Sequence, residues 1–376
     1  MNQNDIKFLE DSFKKYYFDH FDLIHVPPRA SEREFGYQKF DSGMTRHIIV
    51  KDDKELHLLL MNSIPSDVYC SNAYYSFPNL PMTEKDWKEA DLIFDIDAKD
   101  LNLDCRKNHL YQKCKVCNRI FQNLSYCPYC KSTKFDSSSL PCKNCILVAK
   151  NEVKKLQTIL TNDLGIAKEN IDVYFSGNEG FHVYAYNTSF EKLGSKERSD
   201  IVDYLMFRGA IPETFGFNRF KPDRSLFSEF DESGWSGRVS KKIFDSNSKR
   251  SKIISQILAN GYSSFQKQLD DIRDEIGVKI DPMVTVDVHR IFRLPGSLNS
   301  KSGLTKQKCE DLDSFNPYSE ACFIDDTPIE AVADCTTRFS LKNKQFGPYN
   351  HEKITVPRYA AVYMICKGLA TTKNTE

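Results

Sequence analysis

Apolar and polar residues alternate along this chain with two periods, and those periods predict where helices and strands lie. Apolar residues recur every three or four positions from Asn4 to His20, which predicts an amphipathic helix. The same period predicts a helix from Ile146 to Asp163, ended by Gly165. A period of two predicts strands at 171–175 and 181–185, joined by a turn that contains two glycines. The chain therefore mixes helices with strands.

Shorter patterns extend this picture. Residues 33–40 and 46–50 predict the two strands of a hairpin, and an apolar strand follows at 91–97. Residues 195–275 are mostly polar with helical spacing, which predicts a helical insert. The pattern from Val284 to Leu294 predicts a further strand. The length of 376 residues allows two or three domains, at about 150 residues each.

Two carboxylates stand at the end of the strand predicted at 91–97. Asp95 and Asp97 are two residues apart, so a strand projects both from one face. Oxygen ligands suit hard cations such as Mg²⁺, and two such ions can hold the attacking and the leaving oxygen of a phosphoryl transfer. The alternative is a strand that ends in solvated acids. This segment by itself does not separate the two interpretations.

A later segment carries a possible third acid and several cations. Asp281 and Asp287 are the acidic candidates, and either one would complete a two-ion site. The basic candidates are Arg290, Arg293 and Lys301. Because the two arginines are three residues apart, strand alternation puts them on opposite faces, and we expect only one to face the site. The alternative is that both belong to a solvated face.

The turn between the strands at 171–175 and 181–185 can bind an anion. Glycines at positions 177 and 180 let backbone N–H groups approach a phosphate without interference from a Cβ atom, next to the hydroxyl of Ser176. His182 follows on the exiting strand and can contact a triphosphate. The alternative, which spacing alone favours, is a simple hairpin with His182 buried against a neighbour.

Cysteines are concentrated in one part of the chain, since seven of 12 fall between positions 105 and 145. Clustered C-x₂-C pairs indicate metal ligation more than disulfides. The inner pairs can supply four thiolates to a tetrahedral Zn²⁺ from Cys114, Cys117, Cys127 and Cys130. A second, Cys₃His site can form from Cys105, His109, Cys142 and Cys145. The alternatives are unliganded thiols and a solvated histidine. Both sites are closed, hence structural.

The net charge of the chain does not indicate what it binds. The 52 basic and 52 acidic residues cancel, so bulk charge gives no support for nucleic-acid binding, although a local basic groove is compatible with it. No run of about 18 apolar residues occurs, which predicts no membrane span. The N-terminus lacks a signal-peptide pattern. We therefore expect a cytoplasmic or nucleoid location.

The order of the motifs is more specific than any one motif. The chain carries, in order, Arg-Glu-Phe at 33–35, Asp-Leu-Ile-Phe-Asp-Ile-Asp at 91–97, the cysteine cluster, Ser-Gly-x-x-Gly-Phe-His at 176–182 and Arg-Leu-Pro-Gly-Ser-Leu-x-x-Lys-x-Gly-Leu at 293–304. This order resembles the catalytic small subunit of archaeal and eukaryotic DNA primase, over about residues 30–305, with a weaker match at Tyr359–Gly368. The resemblance implies an α/β (α+β) primase catalytic core with a mixed sheet, a zinc-binding module and a small helical subdomain.

The resemblance also assigns domains and residue roles. The implied core is 1–100, 146–190 and 278–376, the zinc-binding module with an inserted zinc ribbon is 101–145, and the helical subdomain is 191–277. The implied ligands of catalytic Mg²⁺ or Mn²⁺ are Asp95, Asp97 and Asp281, with Asp287 the less fitting third acid. The residues implied to line the nucleoside triphosphate are Ser176, Gly177, His182, Arg293 and Lys301, with Glu34 and Arg46 nearby. The family zinc ligands match Cys105, His109, Cys142 and Cys145, and Cys114, Cys117, Cys127 and Cys130 form the insertion.

Two positions depart from the family pattern. Asn178-Glu179 stands where an arginine usually lies between the glycines, and Asn299 stands where a histidine is usual. Glu179 puts a negative charge where a triphosphate would pass, and we expect this to weaken nucleotide binding unless the side chain turns away.

The function implied is template-directed, two-metal nucleotidyl transfer that makes short primers on single-stranded DNA for replication. The implied partner is the primase large subunit, which carries an iron–sulfur cluster. One alternative is a primase-polymerase or repair polymerase of the same superfamily. The other is a non-catalytic zinc-ribbon scaffold that binds single-stranded DNA.

Overall fold

The computed structural model describes residues 1–122, 124–220, 223–244 and 247–372. The helices are α1 (Gln3–Asp19), α2 (Asp53–Ser63), α3 (Lys143–Asn162), α4 (Ser195–Leu205), α5 (Gly234–Phe244), α6 (Asn247–Asn260), α7 (Tyr262–Ile276), α8 (Pro282–Val286), α9 (Pro317–Glu320) and α10 (Arg358–Cys366). The strands are β1 (Phe35–Gln38), β2 (Met44–Ile48), β3 (Asp67–Ser71), β4 (Ala73–Tyr75), β5 (Trp87–Ala90), β6 (Leu92–Asp97), β7 (Leu110–Cys114), β8 (Ile120–Phe121), β9 (Phe135–Ser139), β10 (Ile171–Phe175), β11 (Gly180–Ala185), β12 (Ile291–Arg293), β13 (Gln307–Lys308), β14 (Pro328–Cys335), β15 (Phe339–Leu341), β16 (Lys344–Phe346), β17 (Tyr349–Pro357) and β18 (Ala370–Thr372).

Two four-stranded sheets form the centre of the molecule. Their strand orders are β12-β3-β1-β2 and β13-β10-β11-β6. A small apolar cluster joins them, in which Phe292 of the first sheet packs with Ile93 and Tyr184 of the second and with Val284 of α8. The first and second sheets thus meet on the face of β6 that carries Ile93 and, two and four residues further on, the paired acids. Helix α3 packs against β6 and β11 of the second sheet.

Several predicted elements are confirmed. Helix α1 and strands β10, β11 and β6 lie within a residue or two of their predicted bounds, and β1 pairs with β2 as the predicted hairpin. The second predicted helix begins at Lys143, three residues before the apolar period begins. The polar stretch at 195–275 contains α4, α5, α6 and α7, as its helical spacing predicts.

The strand predicted from Val284 to Leu294 is wrong over its first half. Residues 282–286 form helix α8, and only Ile291–Arg293 form a strand. Asp281 caps this helix and proline occupies its first position, where the missing N–H has no intrahelical role. The hydroxyl of Thr285 also donates to the carbonyl of Ile93, 2.9 Å away. Capping and docking onto β6 therefore override the alternating pattern.

The α/β class is observed, but the implied mixed sheet is not. Within the described ranges every strand pair is antiparallel. The physical reason lies in the connections: β1–β2 and β10–β11 are hairpins with short turns, and a short turn can join only antiparallel neighbours. The central strands are thus arranged as two antiparallel sheets instead of one mixed sheet.

Two further regions stand beside the central sheets. The cysteine-rich stretch forms a three-stranded sheet of order β8-β7-β9. A second apolar cluster, separate from the main core, packs phenylalanines 207, 215, 217 and 227 against α5, α6 and α7. The predicted domain limits stay a prediction, and their residues 123, 221, 222, 245, 246 and 373–376 lie outside the described residues. Among the described helices, none combines the length and apolarity that crossing a bilayer requires.

Candidate active site

Three acidic residues lie near one another at the end of β6. Asp95 and Asp97 project from one face of this strand, and the antiparallel register sets His182 opposite Asp95 and Gly180 opposite Asp97. Asp281 reaches the same place through its backbone, because its N–H donates to the carbonyl of Asp95 at 2.9 Å. Its carboxylate accepts from the N–H of Met283 at 2.9 Å and so begins α8. The structure therefore brings Asp281 beside the acid pair through its backbone, although among the described residues the three carboxylates do not form a group whose oxygens all lie within 4.8 Å of one another.

Asp287, the other acid considered for the third position, lies at the opposite end of α8. It is exposed, and its carboxylate accepts from the backbone N–H of His289 at 2.9 Å. It contributes to the electrostatic environment of Arg46 and Tyr75, whereas Asp281 contributes to that of Asp95. The position of Asp281 beside Asp95 therefore makes it the better candidate than Asp287 for the third carboxylate of a metal site.

The crowding of acids shifts the protonation of Asp95. Burial is the main cause that raises its pKa to about 7, and the charges of Asp97 and Asp281 add to the shift. Lys99 and Arg290 partly oppose it. The carboxylates repel one another, so they do not all ionise unless a positive charge is present. A hard divalent cation prefers oxygen ligands and would supply that charge, so these residues are suitable ligands for one.

His182 lies against this group in its neutral form. Burial and the neighbouring cations Lys306, Arg293 and Arg290 hold its pKa well below its usual range. Its Nε2 lies 3.6 Å from Asp95 Oδ1, and its ring packs edge-on against Phe292. Its Nδ1 is buried and has no hydrogen-bond partner among the described residues. The histidine thus lies beside the carboxylates, with Nε2 directed at Asp95 and Nδ1 buried without a partner.

The Ser176–Gly180 turn is held against the loop that follows β12. Gly177 has φ +88°, and a Cβ atom there would lie 2.9 Å from the Cβ of Asn299, so only glycine fits. The amide of Asn299 donates to the carbonyl of Ser176 at 3.3 Å and accepts from the N–H of Lys301 at 2.9 Å. The departure at Asn299 therefore serves to fasten the turn and the loop together, with the Lys301 side chain exposed.

Glu179 turns away from the carboxylates. It pairs with Arg106 at 3.0 Å and with Lys367 at 3.7 Å, and the hydroxyl of Ser139 donates to it. These three partners keep its pKa low despite burial. Lys367 also donates to the side chain of Asn178 at 2.8 Å. The expected repulsion of a triphosphate by Glu179 is therefore absent, and Asn178-Glu179 instead joins the turn to the cysteine-rich module and α10.

Arg293 and Arg290 both contribute positive charge near His182. Arg290 lies outside β12, so the alternation of a strand does not apply to it. Both guanidinium groups lower the pKa of His182. Arg293 is the more constrained of the two, because it pairs with buried Asp67 and donates to the carbonyl of Leu298 at 2.8 Å.

Glu34 and Arg46 form an ion pair across the β1–β2 hairpin. The guanidinium donates to the carboxylate at 2.8 and 3.1 Å, and Lys85 lies 3.2 Å from the same fully buried carboxylate. These contacts lower the pKa of Glu34. The two predicted residues therefore contact each other, and both belong to the β1–β2 hairpin of the first central sheet.

Lys306 is a buried cation that the sequence pattern did not reveal. Its ammonium group donates to the hydroxyl of Tyr184 at 2.5 Å and to the carbonyl of Arg293 at 2.9 Å. Burial and Arg293 lower its pKa well below the usual range. It joins the two sheets behind His182. A lysine in a run of polar loop residues carries no signal of burial, so only packing could identify it.

Both predicted cysteine clusters have the geometry of a tetrahedral metal site. Tetrahedral Zn²⁺ with bonds of about 2.3 Å places its sulfurs about 3.8 Å apart. The ligand atoms of each set lie within 4.8 Å of one another. The inner distances are 3.5 Å for Cys114–Cys130 and 3.4 Å for Cys117–Cys127. The outer ones are 3.6 Å for Cys105–Cys145, 4.0 Å for Cys142–Cys105 and 3.4 Å for Cys145–His109. All are far longer than a disulfide.

Known proteins with similar sequences decide the family. A family model described as "DNA primase small subunit" matches residues 132–308. The DNA primase small subunit of Nitrosopumilus maritimus is 66% identical over 99% of this chain and 100% of its own length, and that of Cenarchaeum symbiosum is 52% identical over the same shares. The one from Archaeoglobus fulgidus is 30% identical over 97% of this chain and 98% of its own length.

The chain belongs to the DNA primase small-subunit family. Members are DNA-directed nucleotidyltransferases that synthesise primers, so the interpretation as a primase catalytic subunit is confirmed. Among solved structures, the polymerase domain of Mycobacterium tuberculosis Ligase D in complex with DNA matches 81% of this chain and 83% of that chain, with a TM-score of 0.38 and 10% identity.

The raised pKa of Asp95 predicts a stability effect in this primase subunit without divalent ions. Because the folded pKa of about 7 exceeds the unfolded value near 3.8, the folded state keeps a proton that the unfolded state has lost. The free energy of unfolding therefore falls as pH rises from about 4 to 7 and stays low above. We expect Asp95→Asn to raise the free energy of unfolding in magnesium-free buffer at pH 8 by an amount on the order of 2 kcal/mol, seen as a higher Tm. In calorimetry the gain should shrink as pH falls and vanish below about pH 3.8, the unfolded pKa; a gain that does not change with pH would contradict this cause.

The contacts of Glu179 predict the outcome of restoring the usual arginine of primases. Glu179→Arg places a third cation beside Arg106 and buried Lys367, and removing one partner of a buried pair costs about 3 kcal/mol or more. We expect a lower Tm and no tighter nucleotide binding. The control is Glu179→Gln, which keeps the hydrogen-bonding shape and should be less destabilising. A lower Kd for nucleotide in the arginine variant than in the wild type would contradict this prediction and would show that the turn accepts arginine at this position.

Proposed function

We propose that this subunit performs two-metal nucleotidyl transfer with Asp95, Asp97 and Asp281 as the ligands of two Mg²⁺ or Mn²⁺ ions. The observation that carries the proposal is the hydrogen bond from the N–H of Asp281 to the carbonyl of Asp95, which joins a distant segment to the acid pair. When bound, the ions lower the pKa of the attacking 3′-hydroxyl and neutralise charge on the leaving pyrophosphate.

The residues around the carboxylates supply the contacts for a nucleoside triphosphate. The Ser176–Gly177 segment lies at the same end of the sheet as the carboxylates, at a position where no larger residue fits, and His182 supplies a neutral imidazole that can donate to a phosphate oxygen. Lys301 contributes an exposed cation from the adjoining loop. Fixed donors and cations of this kind stabilise the charge that develops on phosphate oxygens during transfer.

Arg293, Glu34 and Arg46 support that arrangement. The pair of Arg293 with Asp67 also holds the 298–300 backbone, because Asp67 accepts from the N–H of Ser300 at 3.1 Å. Arg293 can therefore position the loop that carries Lys301 while its charge acts on the phosphates. The Glu34–Arg46 pair stiffens the neighbouring hairpin, close to the incoming nucleotide.

Zinc is the ion we propose for both cysteine-containing clusters, since thiolate and imidazole ligands in tetrahedral order favour it. The name "small subunit" in the relatives supports a heterodimer with a large subunit, which we propose carries the iron–sulfur cluster. We propose single-stranded DNA as template and the cellular replication site, in cytoplasm or nucleoid, as the place of action.

One assay tests the proposal. The purified subunit, alone and with its large subunit, is given unprimed single-stranded DNA, Mn²⁺ or Mg²⁺, and either ribo- or deoxynucleoside triphosphates. Template-dependent products are expected from the wild type and not from Asp281→Asn. Incorporation that occurs only on a supplied primer would instead support the primase-polymerase or repair alternative. DNA binding without any incorporation would support the scaffold alternative.

A further inference from the structure

The inserted zinc ribbon carries a concentration of positive charge that the rest of the chain does not share. Between positions 105 and 135 there are seven lysines and arginines and no aspartate or glutamate, in a chain whose formal net charge is zero. Ion pairs use some of them: Arg106 bonds Glu179, and Lys115 bonds Asp136. In the part of the chain that the structure describes, no acid pairs with Arg119, Lys131 or Lys134, all in or beside the ribbon.

Aromatic side chains stand among these cations and face solvent. Tyr126 and Tyr129 are 55% and 63% exposed. The guanidinium of Arg119 lies over the ring of Tyr129, 4.3 Å from its centre. Phe121 stacks with the same Tyr129 ring, at a distance of 6.0 Å between ring centres and an angle of 29° between ring planes. Lys131 lies 5.7 Å from the ring centre of Tyr126. Solvent-exposed rings beside unpaired cations suit unpaired bases, which stack on the rings while phosphates meet the cations.

The ribbon knuckles hold these residues in fixed positions. Each C-x₂-C pair is followed by a residue in the left-handed region, Asn118 with φ +58° and Lys131 with φ +60°. The backbone N–H of each closes a tight turn by donating at 2.9 Å to the carbonyl of Cys114 or Cys127. Lys131 therefore has a left-handed backbone conformation that is unfavourable for most residues other than glycine and asparagine. Asn118 has the equivalent position in the first knuckle.

The ribbon is linked by hydrogen bonds to the Ser176–Gly180 turn, here named the catalytic turn. The hydroxyl of Tyr111 on β7 donates to the carbonyl of Lys367 at 2.7 Å, and the ammonium group of Lys367 reaches Asn178, beside the Gly180 that faces Asp97. From Tyr111 to the first ribbon cysteine, Cys114, β7 spans about 10 Å. The ribbon is therefore tied to the end of the sheet that carries the carboxylates.

One feature limits the path. A cleft of about 440 Å³ lies between the ribbon and the C-terminal sheet; Arg119 and Tyr129 line its ribbon wall, and Asp334 and Glu352 line the opposite wall. These acids repel phosphates, so a nucleic acid is expected along the ribbon wall at the mouth of the cleft and over exposed Tyr126, and not deep in the cleft.

We infer that the outer face of the ribbon, formed by Arg119, Tyr126, Tyr129 and Lys131 and here named the ribbon face, binds single-stranded template DNA. The inference rests on the proposed function for the identity of the strand. The charge, the exposed rings and the link to the catalytic turn together favour a single strand over a duplex, whose stacked bases cannot reach the rings. The ribbon face would hold template beyond the catalytic carboxylates without taking part in the chemistry.

Two matched pairs of variants of the full-length protein test the ribbon face. Tyr126→Ala combined with Tyr129→Ala removes the rings, and Phe18→Ala, which removes an exposed ring on α1, is its control. Arg119→Gln combined with Lys131→Asn removes two cations, the asparagine being suited to the positive φ, and exposed Lys241→Gln on α5 is its control. Zinc content measured by elemental analysis shows that each variant keeps its ribbon.

The readout is the affinity for a labelled oligothymidylate by fluorescence anisotropy across a salt series. We expect the tyrosine variant to bind at least tenfold more weakly. The cation variant should lower the slope of log affinity against log salt by about 1.4, from two lost phosphate contacts. In primer extension the template KM should rise in both variants, with kcat at saturating template unchanged. The control variants should match the wild type.

Several results would overturn the inference. Unchanged affinity and salt slope in both variants would show that the template binds elsewhere. Loss of large-subunit association in gel filtration, with DNA affinity intact, would make the ribbon face a protein-docking surface. A wild-type subunit that binds oligothymidylate through the ribbon face but makes no product would leave this inference standing and contradict the proposed function, so the two failures are distinguishable.

Discussion

Primer synthesis is expected to fall by about a thousandfold or more when Asp95 is replaced by asparagine. The change keeps the size of the side chain and removes one of the charges that hold the cations, and several kcal/mol of lost charge stabilisation correspond to a rate loss of that order. Because the same change relieves the crowding that raises the pKa of Asp95, the variant should stay folded. The measurement is the initial rate of product formation on unprimed single-stranded DNA, with circular dichroism as the test of folding.

The third carboxylate offers the sharpest comparison. Asp281 and Asp287 flank the same five-residue helix α8, so Asp281→Asn and Asp287→Asn make the same chemical change at its two ends. Asparagine is also a good N-cap, so α8 should persist in the first variant. We expect a loss like that of Asp95→Asn for position 281 and a rate within a few-fold of wild type for position 287. The reverse result would move the third metal ligand to Asp287, and full activity in both would falsify the three-carboxylate site.

Loss of the outer zinc site is expected to have the second largest effect. Cys145→Ser removes a buried ligand at the start of α3, and Cys145 also contacts Arg106, the partner of Glu179. Structural zinc contributes about 10 kcal/mol or more of binding free energy, comparable with the whole stability of a typical domain. We therefore expect one zinc ion fewer per chain, a Tm lower by more than about 5 °C, and primer synthesis reduced at least tenfold through displacement of the catalytic turn.

The inner site provides the matched control. Cys117→Ser also removes one thiolate from a four-ligand cluster, but unlike Cys145 it lies away from Arg106, the partner of Glu179, and its ribbon is linked to the turn through β7 and β9. We expect it to lose one zinc ion as well and to keep its kcat on a primed template at saturating concentration. Retention of two zinc ions and full activity in Cys145→Ser would show that the outer cluster neither binds metal nor supports the turn.

Local pattern predicted much of the catalytic sheet. Strands β6, β10 and β11 follow from alternation, and the register of β6 with β11 then sets Asp95 beside His182. The two cysteine sets also follow from spacing, because a C-x₂-C knuckle is a local structure that needs only a few residues. These predictions succeeded since each depends on interactions within a short segment or between neighbouring strands.

Other features depended on contacts between distant segments. The strand predicted from Val284 became α8 in its first half, because Asp281 and Thr285 bond to β6. The direction of Glu179 could not be read from its position in the turn, since Arg106 and Lys367 come from other parts of the chain. Lys306 gave no sign of its burial between the two sheets.

The sequence by itself determined the family, the acid pair on one strand and the two clusters of candidate metal ligands, because period, spacing and motif order are properties of the chain alone. Only the tertiary structure decided which later acid lies beside that pair, where Glu179 points and which cations surround His182. These depend on how far-apart segments pack, and packing is settled by shape, burial and long-range hydrogen bonds that no local pattern records.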